Sequence, residues 1–243
     1  FTGAPLMIPT LLDCGMEDDA FRVLLTEEFP GWFYCIKLGA TTIWERWNSV
    51  LPDGTISGTE MNSMNHYSYG AVVEFLYRYA MGLQPTSPGF RTVRIAPAPD
   101  IRLGHLEGSY DSASGRYVSN RAIREDGSLS FHIEVPFGCT AEVCLPEQVP
   151  FVVETGVYDY TVRPEKNYRA LYSAKTRFED LVKDERAVAV LNECMPGFVE
   201  SLDRTDNESM TRSLESELVR TTIFRQPNDH IQKAIAGISV IEE

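Results

Sequence analysis

The spacing of the hydrophobic residues changes twice along these 243 residues, near 84 and again near 164. A helix places its apolar residues on one stripe about every 3.6 positions and a strand on alternate positions, so one pattern cannot serve both. The chain therefore reads as three successive units, 1–83, 84–163 and 164–243. In the first, Met16–Phe29 opens with Glu17, Asp18 and Asp19, which suit the positive end of a helix dipole, and Pro30-Gly31 stops the pattern. A second helix is expected over Tyr67–Met81, with Val72, Val73, Phe75, Leu76 and Tyr79 on a broad apolar face and Gly82 at its end. Between them, residues 39–66 form a long irregular stretch rich in Gly, Thr, Asn, Ser and Trp. Irregular stretches of that length inside a domain are usually functional.

The middle unit reads as short strands. Candidates are 92–96, 102–109, 116–125, 128–135, 140–145, 151–154 and 158–162, separated by turn signals such as Glu125-Asp-Gly-Ser128. That spacing is the one expected of a β-sandwich. From Pro164 the pattern is helical again. Thr176-Arg-Phe-Glu179 fits a capping box, Pro196-Gly197 breaks the following helix, and a last helix from Pro227 carries Ile231, Ala234, Ile235, Ile238 and Ile241 on one stripe. Such a tail suits packing or oligomerisation.

Charge narrows the partners. The formal net charge is −13, and each unit is acidic: 4 basic against 10 acidic residues in 1–83, 7 against 10 in 84–164, and 11 against 15 in 165–243. No basic footprint for nucleic acid or an anionic membrane exists. Neutral substrates such as sugars suit this balance. The cysteines, at 14, 35, 139, 144 and 194, are odd in number and lack the spacing of a metal site, so free thiols, a reducing compartment and a cytoplasmic location are expected. No metal or other cofactor is called for. The start at Phe1, already inside patterned sequence, suggests a piece of something longer.

Two clusters carry the candidate chemistry. In Gly39-Ala-Thr-Thr-Ile-Trp-Glu-Arg-Trp47, Glu45 stands between Trp44 and Trp47. Indole faces bind the C–H faces of sugar rings, and a carboxylate beside them can deprotonate water. The alternative is that both indoles are core and Glu45 pairs with a basic neighbour. In Asn62-Ser-Met-Asn-His-Tyr-Ser-Tyr-Gly70, Asn65 and His66 precede a helix, where backbone N–H groups and polar side chains gather around ligands. Asn65 could equally be a helix cap.

These two segments, with Leu6–Gly15 and Phe29-Pro-Gly-Trp32 before them, resemble the end of the catalytic barrel of the bacterial α-L-rhamnosidases, glycoside hydrolase family 78. Gly89–Pro97, Val135–Pro146 and Glu154–Tyr158 resemble that family's C-terminal β-sandwich, and residues beyond about 164 fall outside its core pattern. The resemblance implies the last helices of an (α/α)6 barrel, then an antiparallel β-sandwich, then a small helical C-terminal tail. It also implies an inverting hydrolase that releases terminal α-L-rhamnose from rhamnose-containing glycosides. Glu45 takes the place of the general base, and His66, 21 residues on, the place of the histidine against the sugar. Trp44, Trp47 and Asn65 would line the substrate site. The family's general acid lies upstream, so the chain alone is expected to be inactive, with exposed barrel helices or the tail available for homo-oligomerisation. Two other readings remain: an (α/α)6 glycosidase for another sugar, and a non-catalytic module. In the second, the sandwich binds carbohydrate through Tyr110, Tyr117, Tyr158 and Tyr160, or serves only structure and assembly.

Overall fold

In the computed structural model, which describes residues 3–58 and 60–242, the first helix, α1 (Ala4–Asp13), begins with Pro5 in its first turn, where a missing N–H costs nothing. Helix α2 (Glu17–Leu25) has Glu17, Asp18 and Asp19 in its first turn and buries Ala20, Phe21 and Leu24. It stops four residues short of the expected Phe29. Thr26 turns extended, and its hydroxyl accepts the Glu28 N–H at 3.3 Å, a local bond that competes with the helical one. A Cβ at Gly31 would lie 2.2 Å from Thr26 Cγ2, so only glycine lets the chain turn there into α3 (Trp32–Lys37).

The expected second helix is a continuous helical run of three kinds: a 3₁₀ turn (Ser68–Ala71), α4 (Val72–Phe75) and a π turn (Leu76–Ala80). Phe75 is its buried anchor and meets Phe21 edge-on, with ring centroids 5.5 Å apart. Gly82 ends the run for two reasons. Its φ is +79°, and a Cβ would lie 2.2 Å from the Ala96 carbonyl carbon.

Two sheets follow. The first orders β1 (Leu83–Pro85), β2 (Thr92–Ile95), β7 (Thr140–Val143) and β8 (Phe151–Val153) as β1-β2-β7-β8. The second orders β3 (His105–Leu106), β5 (Gly115–Ile123), β6 (Leu129–Val135) and β9 (Gly156–Val162) as β3-β5-β6-β9, with β4 (Ser109–Ser112) on β5. The pairs β1–β2, β3–β5, β4–β5 and β7–β8 run antiparallel, whereas β2 and β7 are parallel, with Val93 opposite Ala141 and Ile95 opposite Val143. Alternation marks the buried face: Phe131, Ile133 and Val135 of β6 are buried, as are Tyr117, Val93, Ile95, Ala141 and Val143. Tyr117 is fully enclosed, its hydroxyl donating to the Phe90 carbonyl at 2.6 Å, so it cannot belong to a sugar-stacking surface. The strand expected over 102–109 shrinks to β3 because Asp100 accepts from the Arg102 backbone and guanidinium at 2.6–2.9 Å and bends residues 100–104 into a turn. From β5, Ser119 and Arg121 donate to the carbonyls of Met81 and Ala80 at 2.8 and 3.2 Å. They satisfy acceptors that a helix end leaves open.

The chain divides into two compact units. The elements above form the first, apart from Asp100–Gly104 and Ile123–Leu129, which belong with the stretch after Val162. That second unit holds α5 (Phe178–Leu181), α6 (Glu185–Cys194), α7 (Phe198–Ser201), α8 (Asn207–Thr211), α9 (Leu214–Ile223) and α10 (Asp229–Ile238). The stripe of α10 is used within this unit's own core: Ile231, Ala234, Ile238 and Ile241 are buried with Phe178, Leu181, Leu191 and Leu214. The cap expected at Thr176 is displaced by one residue, to Arg177. Helix α5 is a single turn, and the Thr176 hydroxyl accepts the Ser173 N–H at 2.9 Å. Side-chain caps come from Asp184 on α6, Asp206 on α8 and a Ser213/Ser216 box on α9.

Candidate active site

Backbone hydrogen bonds draw the two polar clusters of the irregular stretch together. The His66 N–H donates to the Ile43 carbonyl at 2.7 Å and the Glu45 N–H to the Ser63 carbonyl at 2.8 Å. The Thr42 hydroxyl bonds the Met64 carbonyl. Segments 42–45 and 63–66 therefore lie side by side in opposite directions, without ladder enough to make a strand.

Glu45 is 6% exposed. Its Oε2 accepts the Ser63 N–H at 2.7 Å. The other oxygen takes no hydrogen bond from a described residue. Arg46, the basic neighbour that could have neutralised it, sends its guanidinium to the carbonyls of Ser57 and Glu60, each at 3.3 Å. A carboxylate fixed through one oxygen, with no described donor on the other, is suited to hold and deprotonate a water.

His66 is half-buried and stacks on exposed Tyr67 with 5.2 Å between ring centroids. Its Nδ1 accepts the Ser68 N–H at 3.2 Å, which puts the proton of the neutral ring on Nε2. That bond serves the start of the helical run, so the capping alternative for Asn65 does not hold. Asn65 is exposed, and its backbone engages the Ser63 hydroxyl. Trp44 is buried. Trp47 is half-buried, stacked on Tyr69 at 4.6 Å and edge-on to Trp32 at 5.3 Å. Trp32 Nε1 donates to the Tyr69 carbonyl at 2.8 Å, closing a three-ring cluster in which Trp47 Nε1 is buried without a protein partner.

Cys35 sits beneath this cluster and donates to the Trp47 carbonyl at 3.4 Å. Burial pushes its thiol up to about 11, so at neutral pH it is protonated and inert as a nucleophile. Burial likewise raises the Tyr69 phenol, with Cys35 adding to the effect. Trp32, Tyr69, Arg46, Asn62 and Ser63 carried no assigned role in the reading of the sequence. Trp32 and Tyr69 lie within the motifs that carried the resemblance, so their aromatic character was the available signal. The Ser63 contribution is a backbone N–H and has no side-chain signature. Among the described residues no group of three or more His, Cys, Asp or Glu could hold a metal ion, and no helix is long and apolar enough to cross a membrane.

Residues 1–80 match the bacterial alpha-L-rhamnosidase 6 hairpin glycosidase domain, and residues 82–157 the bacterial alpha-L-rhamnosidase C-terminal domain. An α-L-rhamnosidase of Alteromonas sp. (strain LOR) is 34% identical over 186 residues, covering 76% of this chain and 20% of that protein. One from Streptomyces avermitilis is 41% identical over 150 residues, covering 62% of this chain and 14% of that protein. The chain thus spans about a fifth or less of these relatives. Among solved structures, the native α-L-rhamnosidase from Aspergillus terreus superposes with a TM-score of 0.64 at 32% identity, covering 66% of this chain and 19% of that one. The Streptomyces avermitilis α-L-rhamnosidase complexed with L-rhamnose gives 0.63 at 35% identity, covering 66% and 17%.

Proposed function

We propose that this chain, which belongs to the bacterial α-L-rhamnosidases through residues 1–80 and 82–157, supplies the general base of an inverting glycoside hydrolase acting on terminal α-L-rhamnose, and that Glu45 is that base. One observation carries the reading: the Glu45 carboxylate is almost enclosed, held on one oxygen by the Ser63 N–H, and without a described donor on the other. Inversion needs such an oxygen to take a proton from water on the face opposite the leaving group. It also needs a protonated carboxylic acid about 6.5–9.5 Å away to protonate the departing oxygen. His66, with its proton on Nε2, is placed by backbone bonds beside the same segment and suits a hydroxyl of the sugar. Trp47 and Tyr69 offer the apolar wall.

The test is Glu45→Gln in a full-length enzyme that carries this segment. The change keeps size and removes the base, and the expected loss in kcat is about 10²–10⁴. Near-normal turnover of an aryl α-L-rhamnoside would remove Glu45 from the role. The 243-residue chain alone is expected to be inactive, because the resemblance puts the acid upstream of the segment it contains.

A second reading, a carbohydrate-binding module, has one observation in its favour. Tyr77, Phe90 and Tyr110 line an open hollow of about 450 Å³ together with the polar side chains of Glu74, Arg78 and Gln84. Titration calorimetry with L-rhamnose on the chain and on Tyr110→Ala separates the readings, since only the second expects binding that Tyr110 controls.

A further inference from the structure

The 17 residues between Glu45 and Ser63 would ordinarily let those two groups drift apart. Part of this loop is self-sufficient: Leu51 N–H donates to Thr55 O at 2.8 Å, and Asp53 accepts the Thr55 N–H at 2.9 Å and its hydroxyl at 2.6 Å. Those bonds shape the loop tip and do nothing to fix its base. Backbone bonds from Glu45 N–H to the Ser63 carbonyl at 2.8 Å and from Ser57 N–H to the Ser49 carbonyl at 3.0 Å hold the base, and two side chains that flank the Glu45–Ser63 contact add to them. Arg46, next to Glu45, donates to the carbonyls of Ser57 and Glu60, each at 3.3 Å. Asn62, next to Ser63, donates to the carbonyls of Ser49 and Gly58 at 3.2 and 2.8 Å. Each reaches across to the opposite limb of the loop.

We propose that Arg46 is a positioning residue for the Glu45 carboxylate: by fastening the returning limb at Ser57 and Glu60, it delivers the Ser63 amide to Glu45. The inference rests on the reading of Glu45 as the base. A guanidinium can do this because its donors lie in a rigid plane and reach two carbonyls at once. Arg46 Nε is buried without a protein partner, an arrangement that costs stability, so the side chain is poorly explained as a simple stabiliser. When the limb loosens, the Ser63 N–H leaves the carboxylate, the carboxylate turns freely, and its second oxygen no longer aims at a fixed water. Displacements of about 1 Å in such geometry cost on the order of 10²-fold in rate.

The test has two arms. In a full-length enzyme carrying this segment, Arg46→Ala is expected to lower kcat about 10- to 100-fold with KM nearly unchanged, Arg46→Lys to lose rate as well because an ammonium lacks the planar fork, and added guanidinium to restore part of it in the alanine variant. In the 243-residue chain, amide exchange followed by NMR is expected to quicken at Ser63 in Arg46→Ala while the β6 amides keep their protection. If the alanine variant also loses protection in β6, Arg46→Lys decides in its place. Unchanged kcat and unchanged Ser63 exchange would overturn the proposal, as would a loss confined to KM. Glu45→Gln tells the two failures apart. If it abolishes turnover while Arg46→Ala does not, only the positioning role falls; if Glu45→Gln turns over normally, the base assignment falls first.

Discussion

The irregular stretch 39–66 and the sandwich strands 83–162 are held together by different means. In the sandwich, alternate side chains of β2, β5, β6 and β7 are buried, and Ile95, Ile133 and Val143 are completely enclosed. Stability there is a matter of volume, and many apolar residues of the right size would serve. In the stretch around Glu45 few backbone groups pair in ladders. Its conformation depends on single atoms: an amide on a carboxylate, a guanidinium on two carbonyls, a carboxamide on two more. The lesson is that the region suited to chemistry is the one where individual hydrogen-bonding groups substitute for a core.

Substitutions can break or sharpen that contrast. Phe131→Ala in β6 should have the largest effect, about 3–5 kcal/mol from lost burial and the cavity left behind, read as a lower denaturation midpoint of the sheet signal. A loss under 1 kcal/mol would show that the core is not the main support. Gly82→Ala should cost about 3 kcal/mol, because the left-handed conformation penalises a side chain and the new Cβ would lie 2.2 Å from Ala96 backbone. Asn62→Ala should cost about 1–2 kcal/mol and leave the sheet midpoint unmoved; a coupled fall in both signals would erase the distinction between the regions.

The smallest effect is a pH dependence in the sandwich. His132 on β6 bonds Asp159 at 2.9 Å and Glu134 at 3.2 Å, and these carboxylates raise its pKa above the ordinary 6.5. A raised folded value means that the stabilisation is fully present below about 6.5 and fades as pH rises through the folded value. The ring is about a third exposed, so water screens the pair and less than about 1 kcal/mol is expected. His132→Gln should flatten that part of the stability–pH curve. A wild-type sandwich whose midpoint rises with pH through this window would contradict the assignment.

Much of the fold was legible from pattern alone. The acids at 17–19 and the apolar face at 72–79 mark helices, and the alternation over 128–135 marks β6, because burial on one face imposes its own period. Short elements escaped: α3, β1 and β4 are three to six residues long, too brief to display a period. The early stop of α2 and the shrinkage of the strand at 102–109 were decided by local competition, from the Thr26 hydroxyl and the Asp100 carboxylate.

For the site, the sequence by itself determined the chemical vocabulary: a glutamate between two tryptophans, a histidine 21 residues later, and a family resemblance carried by both segments. It could not show which atoms meet. That Ser63 lends a backbone N–H to Glu45, that Arg46 serves the loop rather than the carboxylate, and that Trp47 stacks on Tyr69 while Trp44 is buried were decided by tertiary structure. The physical reason is that hydrophobic burial repeats along the chain and is therefore written in its period. A hydrogen bond between residues 18 apart depends on one loop closing in one way, and no local pattern encodes that closure.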